Sequence, residues 1–380
     1  MSLVHTDDER MLLDSARDFL RANSPVSALR ALRDSGDTVG FSRELWSQMA
    51  GMGWSGLLVP EANGGLGFSH AGAGIVCEQM GRTLCASPFL STAVFGTTLI
   101  AAAGSEGQRS SILPRVAAGS CLVAVAFEES PRHDPLAIAA SAEPDGAGGY
   151  LLRGEKRFVL DAHVAQVLVV GVRSHGASGE ADGISLFLVD PREEGLSITR
   201  ESMVDSRNAA TVHLDGVRVG SAALLGPLHG GYPALERALD VARCCAAAEL
   251  LGVATEAFER TVDYLRQRRQ FGRIIGEFQG LQHRAAVLFC EIELARSAVL
   301  AALRTIDVAG APLEAAASLA KAKATEAATL AVNEAVQMHG GIGMTDDFEI
   351  GFFMKRALAL RMLFGDAYYH LDRYARLGAY

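Results

Sequence analysis

The sequence predicts an α+β chain laid out as a helical part, a β part and a second helical part. Two observations carry that prediction. Apolar residues recur at helical spacing near the start, and an Ala- and Leu-rich helical pattern returns from about Pro233 onward. Between them, short β-branched or aromatic runs are separated by clusters of turn residues. The boundaries that follow are residues 1–120 for an all-α domain, 121–226 for a β domain and 227–380 for a helical bundle.

The first part opens on Thr6-Asp7-Asp8-Glu9, a capping box in which Thr6 caps the helix and Glu9 reaches back to its amide. Met11, Leu12, Ala16, Phe19 and Leu20 then form one stripe expected to be buried. Further helices are expected over residues 42–52, 71–84 and 89–103, and Pro60-Glu61-Ala62-Asn63-Gly64-Gly65-Leu66-Gly67 reads as a turn-rich loop. In the second part, strands are expected over 121–127, 136–142, 150–159, 167–172, 184–189 and 210–214. Short strands at regular spacing point to an antiparallel barrel or sandwich. From Pro233 the chain is rich in Ala and Leu with Arg and Glu faces, which fits long amphipathic helices packed as a bundle.

Composition removes several function classes. At 49% hydrophobic and 21% charged residues the chain is globular in type. A formal net charge of −9 gives no electrostatic footing for nucleic acid, although a local arginine cluster still suits an anionic ligand. The six cysteines have no C-x-x-C spacing and read as reduced, mostly buried thiols of a cytoplasmic protein, with Cys244 and Cys245 as packing residues. No basic stretch followed by an apolar one opens the chain, and no apolar run is long enough to span a bilayer. The ten histidines include no pair spaced for zinc on one helix face, so no metal is expected. There is no Gly-x-Ser-x-Gly elbow, and no P-loop lysine follows Gly64-Gly65-Leu66-Gly67.

Two motifs carry chemistry. A helix from about Ala234 leads into Arg268-Arg269-Gln270-Phe271-Gly272. Its arginines complement a helix C-terminus that Gly272 would end, and equally Arg268 suits a pyrophosphate, because a planar guanidinium binds phosphate oxygens in pairs. The second motif, Gln337-Met338-His339-Gly340-Gly341-Ile342-Gly343, breaks an Ala-rich helix over 316–336. Its glycines serve a helix cap and turn, or let backbone amides approach a ligand.

In this order and at this separation, the two motifs resemble the C-terminal signature of the acyl-CoA dehydrogenases. The three-part order and the loop from Pro60 to Phe68 extend the resemblance over nearly the whole chain. It implies an N-terminal helical domain, a central β-barrel and a C-terminal four-helix bundle, assembled as a tetramer with FAD. It also implies α,β-desaturation of an acyl-CoA thioester, with an electron-transferring flavoprotein as acceptor. By the same resemblance Arg268, Phe271, Gln279, Gln337, Gly340 and Gly341 touch FAD held mainly by a neighbouring subunit, and Phe158 stacks on the flavin ring.

The sequence departs from the family where the base is expected. Relatives carry a glutamate in a Tyr-Glu-Gly-Thr stretch; here the stretch reads Leu363-Phe364-Gly365-Asp366. Phenylalanine cannot remove the α-proton of a thioester. Other relatives place the glutamate beside an arginine matching Arg243, a substrate-site candidate here, but the preceding residue is Ala242. Asp366 and Glu249 remain as candidate bases. Each also suits a structural role, Asp366 as N-cap of a helix over 367–377 and Glu249 as a paired group in an apolar helix. Aspartate as the base, as in nitroalkane-oxidase-like enzymes, fits less well because Asp366 is displaced from the usual position.

In the β domain the flavin-holding stretches read Glu128-Glu129-Ser130-Pro131-Arg132-His133-Asp134 and Phe158-Val159-Leu160, without the hydroxyls and glycines of relatives. Contacts to a neighbour's cofactor are better kept than contacts to the chain's own. The expectation is an FAD-dependent acyl-CoA dehydrogenase with an atypical base. The alternative is a non-catalytic subunit of an α2β2 heterotetramer with a paralogue. The Phe364-Gly365-Asp366-Ala367 stretch and the Tyr368-Tyr369-His370 run resemble the pimeloyl-CoA dehydrogenase small-subunit type.

Overall fold

In the computed structural model, which describes residues 3–379, the expected capping box closes the first helix. The Thr6 hydroxyl accepts from the Glu9 amide at 3.3 Å, and the Glu9 carboxylate accepts from the Thr6 amide at 3.0 Å. The same carboxylate is buried and bound by Arg304, so Glu9 joins Ala16 and Leu20 on the inward face. Met11, expected in that stripe, is 65% exposed, because the paired glutamate rotates the buried face away from it.

The helices in chain order are α1 (Asp7–Asn23), α2 (Val26–Ser35), α3 (Arg43–Gly51), α4 (His70–Thr83), α5 (Thr97–Ala103), α6 (Glu106–Ala117), α7 (Tyr232–Gln267), α8 (Gln279–Ile306), α9 (Leu313–His339), α10 (Ile350–Met362) and α11 (Ala367–Leu377). The helix expected over 89–103 starts as a wider π-helical segment, Phe89–Gly96, before continuing as α5. The strands are β1 (Val123–Ala126), β2 (Ser141–Pro144), β3 (Gly149–Lys156), β4 (Val167–Arg173), β5 (Ile184–Val189), β6 (Leu196–Ser202), β7 (Asn208–Gly220), β8 (Leu224–Leu225), β9 (Arg269–Gln270) and β10 (Arg273–Ile274). No helix among the described residues is long and apolar enough to cross a membrane.

These elements form two compact units. One comprises the N-terminal stretch up to Ser35, His70–Ala86 and the chain from Arg243 onward; the other comprises Gly36–Ser69 and Ser87–Ala242.

The second unit carries a sheet of order β6-β7-β3-β2-β4-β5-β8, with β1 also paired to β4. Pairing is antiparallel except where β1 and the start of β2 meet β4. Leu152, Leu168, Val170, Phe187, Val212 and Val217 share one buried core, and Leu196 and Leu224, from the two ends of the sheet order, pack against it. The strand expected over 136–142 begins only at Ser141. Its earlier backbone is taken by side chains: Glu129 accepts from the amides of Ala139 and Ala140, and Arg173 donates to the carbonyls of Leu136 and Ile138. The edge strand β6 was not expected, because it is half exposed and carries too few apolar residues to stand out.

In the first unit α9 is the central helix, packed by α8, α10 and α11. Helices α4 and α7 cross with their backbones in contact. A Cβ on Gly252 would lie 1.9 Å from the Glu78 carbonyl oxygen, and one on Gly81 would lie 2.2 Å from that of Glu249.

Candidate functional site

The first motif does not continue its helix to Gly272 as expected. Helix α7 stops at Gln267, and the Arg268 amide closes its last turn onto the Tyr264 carbonyl at 2.9 Å. Strands β9 and β10 then form a hairpin whose two-residue turn is Phe271-Gly272. Both turn residues have positive φ, +52° and +78°, the pattern of a type I′ turn. Glycine suits that backbone and phenylalanine does not, so Phe271 is held at a conformational cost with its ring 89% exposed. Arg268 and Gln279 are exposed beside it.

The second motif begins later than expected, since α9 runs to His339. Gly340 adopts φ +67° and ψ −143°, a conformation open essentially to glycine alone. A Cβ added to Gly340 or Gly341 would meet nothing within 4 Å, so both glycines offer bare backbone outward. Tyr264 joins the two motifs. Its hydroxyl donates to the His339 carbonyl at 3.3 Å, and its ring lies 4.3 Å from the His339 ring; the Phe348 ring completes a three-ring cluster, 4.8 Å from His339 and 6.4 Å from Tyr264. The sequence signal for Tyr264 was available: it lies one helical turn before Arg268, on the same face. Exposed guanidinium, amide side chains and glycine backbone make a donor set suited to a dinucleotide.

The turn expected to carry the base is held from beneath by three buried nitrogen donors. Phe364 is buried with φ +58°, and Gly365 follows at +106°. The Phe364 carbonyl accepts from Arg243 Nε at 3.2 Å and from His370 Nε2 at 3.1 Å. Lys321 Nζ donates to the carbonyls of Gly365 at 2.9 Å and Arg361 at 3.3 Å. Arg243, Lys321 and His370 are fully buried, and the Arg243 guanidinium also donates to the Tyr369 hydroxyl at 3.2 Å. The structure therefore places Arg243 on backbone and a tyrosine of this turn. Lys321 had no sequence signal, because nothing in an Ala-rich helix marks one lysine as buried.

Both candidate bases are engaged. Asp366 is the N-cap of α11, accepting from the Tyr369 amide at 2.8 Å. Glu249 is buried and accepts from Arg356 at 2.8 and 2.7 Å. Nearby, a hydrogen bond with Cys245 and burial hold the Cys77 thiol well above its ordinary range, which keeps it in the protonated form.

Burial, reinforced by Arg243 and opposed by Asp366, lowers the Lys321 amine to about 7. In the second unit Lys156, ion-paired with Glu129, is lowered by burial to about 8. Both amines have a reference value of 10.5, so between these values the unfolded chain binds more protons than the folded one. Stability is expected to rise with pH from about 7 to 10.5, at up to about 1.4 kcal/mol per pH unit for each lysine. Denaturation midpoints across that range check this, and Lys321→Met should remove the part of the slope that begins near 7.

The second unit holds Phe158, half-buried and at φ +53°, apart from the six dinucleotide candidates. Glu128 is paired with His133. Glu129 is committed to Lys156 and two backbone amides. The carboxylates of this stretch are thus used internally, and it fits a flavin ring less well than the first unit fits a dinucleotide.

The family models described as Acyl-CoA dehydrogenase N-terminal, middle and C-terminal domains match residues 6–120, 126–217 and 229–378. The acyl-CoA dehydrogenase fadE12 of Mycobacterium tuberculosis is 32% identical over 84% of this chain and 83% of its own. The caffeyl-CoA reductase-Etf complex subunit CarC of Acetobacterium woodii is 28% identical over 92% of each chain. A solved variant of the Tcur3481-Tcur3483 steroid ACAD is 33% identical, covers 98% of each chain and superposes with a TM-score of 0.88. The chain belongs to the acyl-CoA dehydrogenase family, FAD-dependent oxidoreductases that act on CH–CH bonds.

Proposed function

We propose that this chain is the base-less subunit of a mixed acyl-CoA dehydrogenase tetramer, completing the FAD site of a paralogous chain that owns the glutamate. One observation carries the reading: Phe364 stands where the base is expected, and the two candidate carboxylates, Asp366 beside it and Glu249 two turns past Ala242, are committed to a helix cap and an ion pair.

In this proposal Arg268, Phe271, Gln279, Gln337, Gly340 and Gly341 hold the dinucleotide of the neighbouring subunit. Arg268 neutralises pyrophosphate, Phe271 packs from its hairpin tip, and the side-chain-free glycine backbone lets the dinucleotide approach closely. FAD, when bound, supplies the acceptor for the β-hydride of an acyl-CoA. Arg243, Lys321 and His370 fix the turn around Phe364 by holding its carbonyls, so this chain shapes the wall of a pocket and exchanges no proton there. The N-terminal, β and bundle domains are taken as residues 1–120, 121–226 and 227–380, in a cytoplasmic assembly. An electron-transferring flavoprotein as acceptor is supported by the name of the Acetobacterium woodii relative. A steroid side-chain or pimeloyl-type thioester is the substrate class, the former supported by the Tcur3481-Tcur3483 likeness.

The visible spectrum of the chain purified alone, and again after co-expression with its genomic paralogue, tests the proposal. The expected result is a colourless chain alone and a yellow complex that acyl-CoA bleaches anaerobically. Yellow protein alone, bleached by acyl-CoA, overturns it in favour of an autonomous dehydrogenase with an atypical base.

A further inference from the structure

After α9 the backbone turns through a 3-10 segment, Gly340–Met344, closed by the Thr345 amide donating to the Ile342 carbonyl at 3.1 Å. Its glycine tip is open, so the placement of the segment is set from its flanks. Gly340 sits in a conformation only glycine adopts, and neither Gly340 nor Gly341 has a neighbour within reach of a Cβ. On the near side, the rings of Tyr264, His339 and Phe348 pack together in one cluster, and Arg260 donates to Glu349.

The far side is held by α2, a helix that carries no recognised motif. Arg30 and Arg33 lie three residues apart, hence on one helix face. Arg33 forks onto both Asp346 oxygens, at 2.7 and 2.9 Å, and Arg30 adds a third bond at 2.8 Å. Both guanidinium groups also stack over the Phe352 ring on α10, at 4.8 and 4.9 Å from its centre. Isolated surface ion pairs contribute little, but a two-pronged fork shared by two stacked arginines fixes one geometry. The pairing draws Asp346 well below the usual carboxylate range, to about 2, so it stays charged throughout the neutral range.

We infer that Arg30, Arg33 and Asp346 are positioning residues for FAD binding, holding the 340–345 segment where its open Gly340-Gly341 backbone can approach the dinucleotide. This rests on the proposal that the loop holds a dinucleotide. The clamp belongs to this chain's own fold, so flavin loading at a site this chain completes depends on α2.

The test compares Asp346→Asn and Arg33→Gln with the unaltered chain, using whichever full assembly binds FAD. Three quantities are read: FAD affinity, thermal midpoint, and hydrogen exchange of the 340–345 amides in the flavin-free protein. The expected result is FAD affinity lowered about three- to tenfold, faster exchange in that loop, unchanged exchange in α10 and a thermal midpoint within a degree or two. The charge-swapped double variant Arg33→Asp with Asp346→Arg should recover most of the affinity. Affinity within twofold of the unaltered protein, with loop exchange unchanged, overturns the clamp. A parallel Gly341→Val variant separates the two ideas. If it abolishes tight FAD binding while the clamp variants do not, the clamp alone fails; if it too leaves affinity unchanged, the loop does not hold the dinucleotide.

Discussion

Gly341→Val is expected to weaken FAD binding at least tenfold, and about a hundredfold if two backbone contacts are lost, while leaving the folded chain as stable as before. The separation of the two effects follows from geometry. A Cβ at Gly341 meets nothing within 4 Å, and its φ is ordinary, so the fold has room for the added methyls. Only a ligand lying against that backbone would be displaced by them. Gly340 is the contrasting position: its φ of +67° with ψ −143° would strain any side chain by about 1–3 kcal/mol, so Gly340→Val should lower both stability and affinity. Flavin titration followed by fluorescence, beside thermal denaturation of the same samples, reads both quantities. Unchanged affinity in Gly341→Val would remove the loop from the cofactor site.

The second large effect is expected at the ion pair beneath the helix crossing. Arg356→Met should cost about 3–5 kcal/mol, because it leaves the Glu249 carboxylate buried without its guanidinium. Replacing both, as Glu249→Leu with Arg356→Met, should recover most of that loss, since a packed apolar pair avoids the desolvation penalty of either charge. Urea denaturation of the three variants measures this. The same series addresses the base. If Glu249 removed the substrate proton, Glu249→Leu with Arg356→Met would be inactive even when stable. Activity of the assembled complex that survives the double substitution would assign the pair to structure alone.

Much of the architecture was legible before any coordinates. Capping chemistry at Thr6 and Glu9, the apolar strand run at 184–189 and the N-cap at Asp366 are local, and local chemistry is written in adjacent residues. The same holds for the pairing expected of Glu249, since a carboxylate in an apolar helix requires a partner even when the sequence does not name Arg356. The misses have a common cause. Met11 fits the stripe of α1, yet Glu9 takes the inward place because Arg304, 295 residues away, pairs with it. The strand expected at 136–142 yields its first residues because the Glu129 carboxylate and the Arg173 guanidinium capture its backbone.

The sequence by itself determined the family, the three-part order and the absence of a glutamate at position 364, since these rest on residue identity and periodicity. Only the tertiary structure decided that Tyr264 brings the two motifs together, that Lys321 is the buried amine under the Phe364 turn, and that Asp346 is gripped from α2. Each of these depends on which side chains of distant segments come within hydrogen-bond reach. That proximity is set by how helices pack, and no spacing along the chain records it.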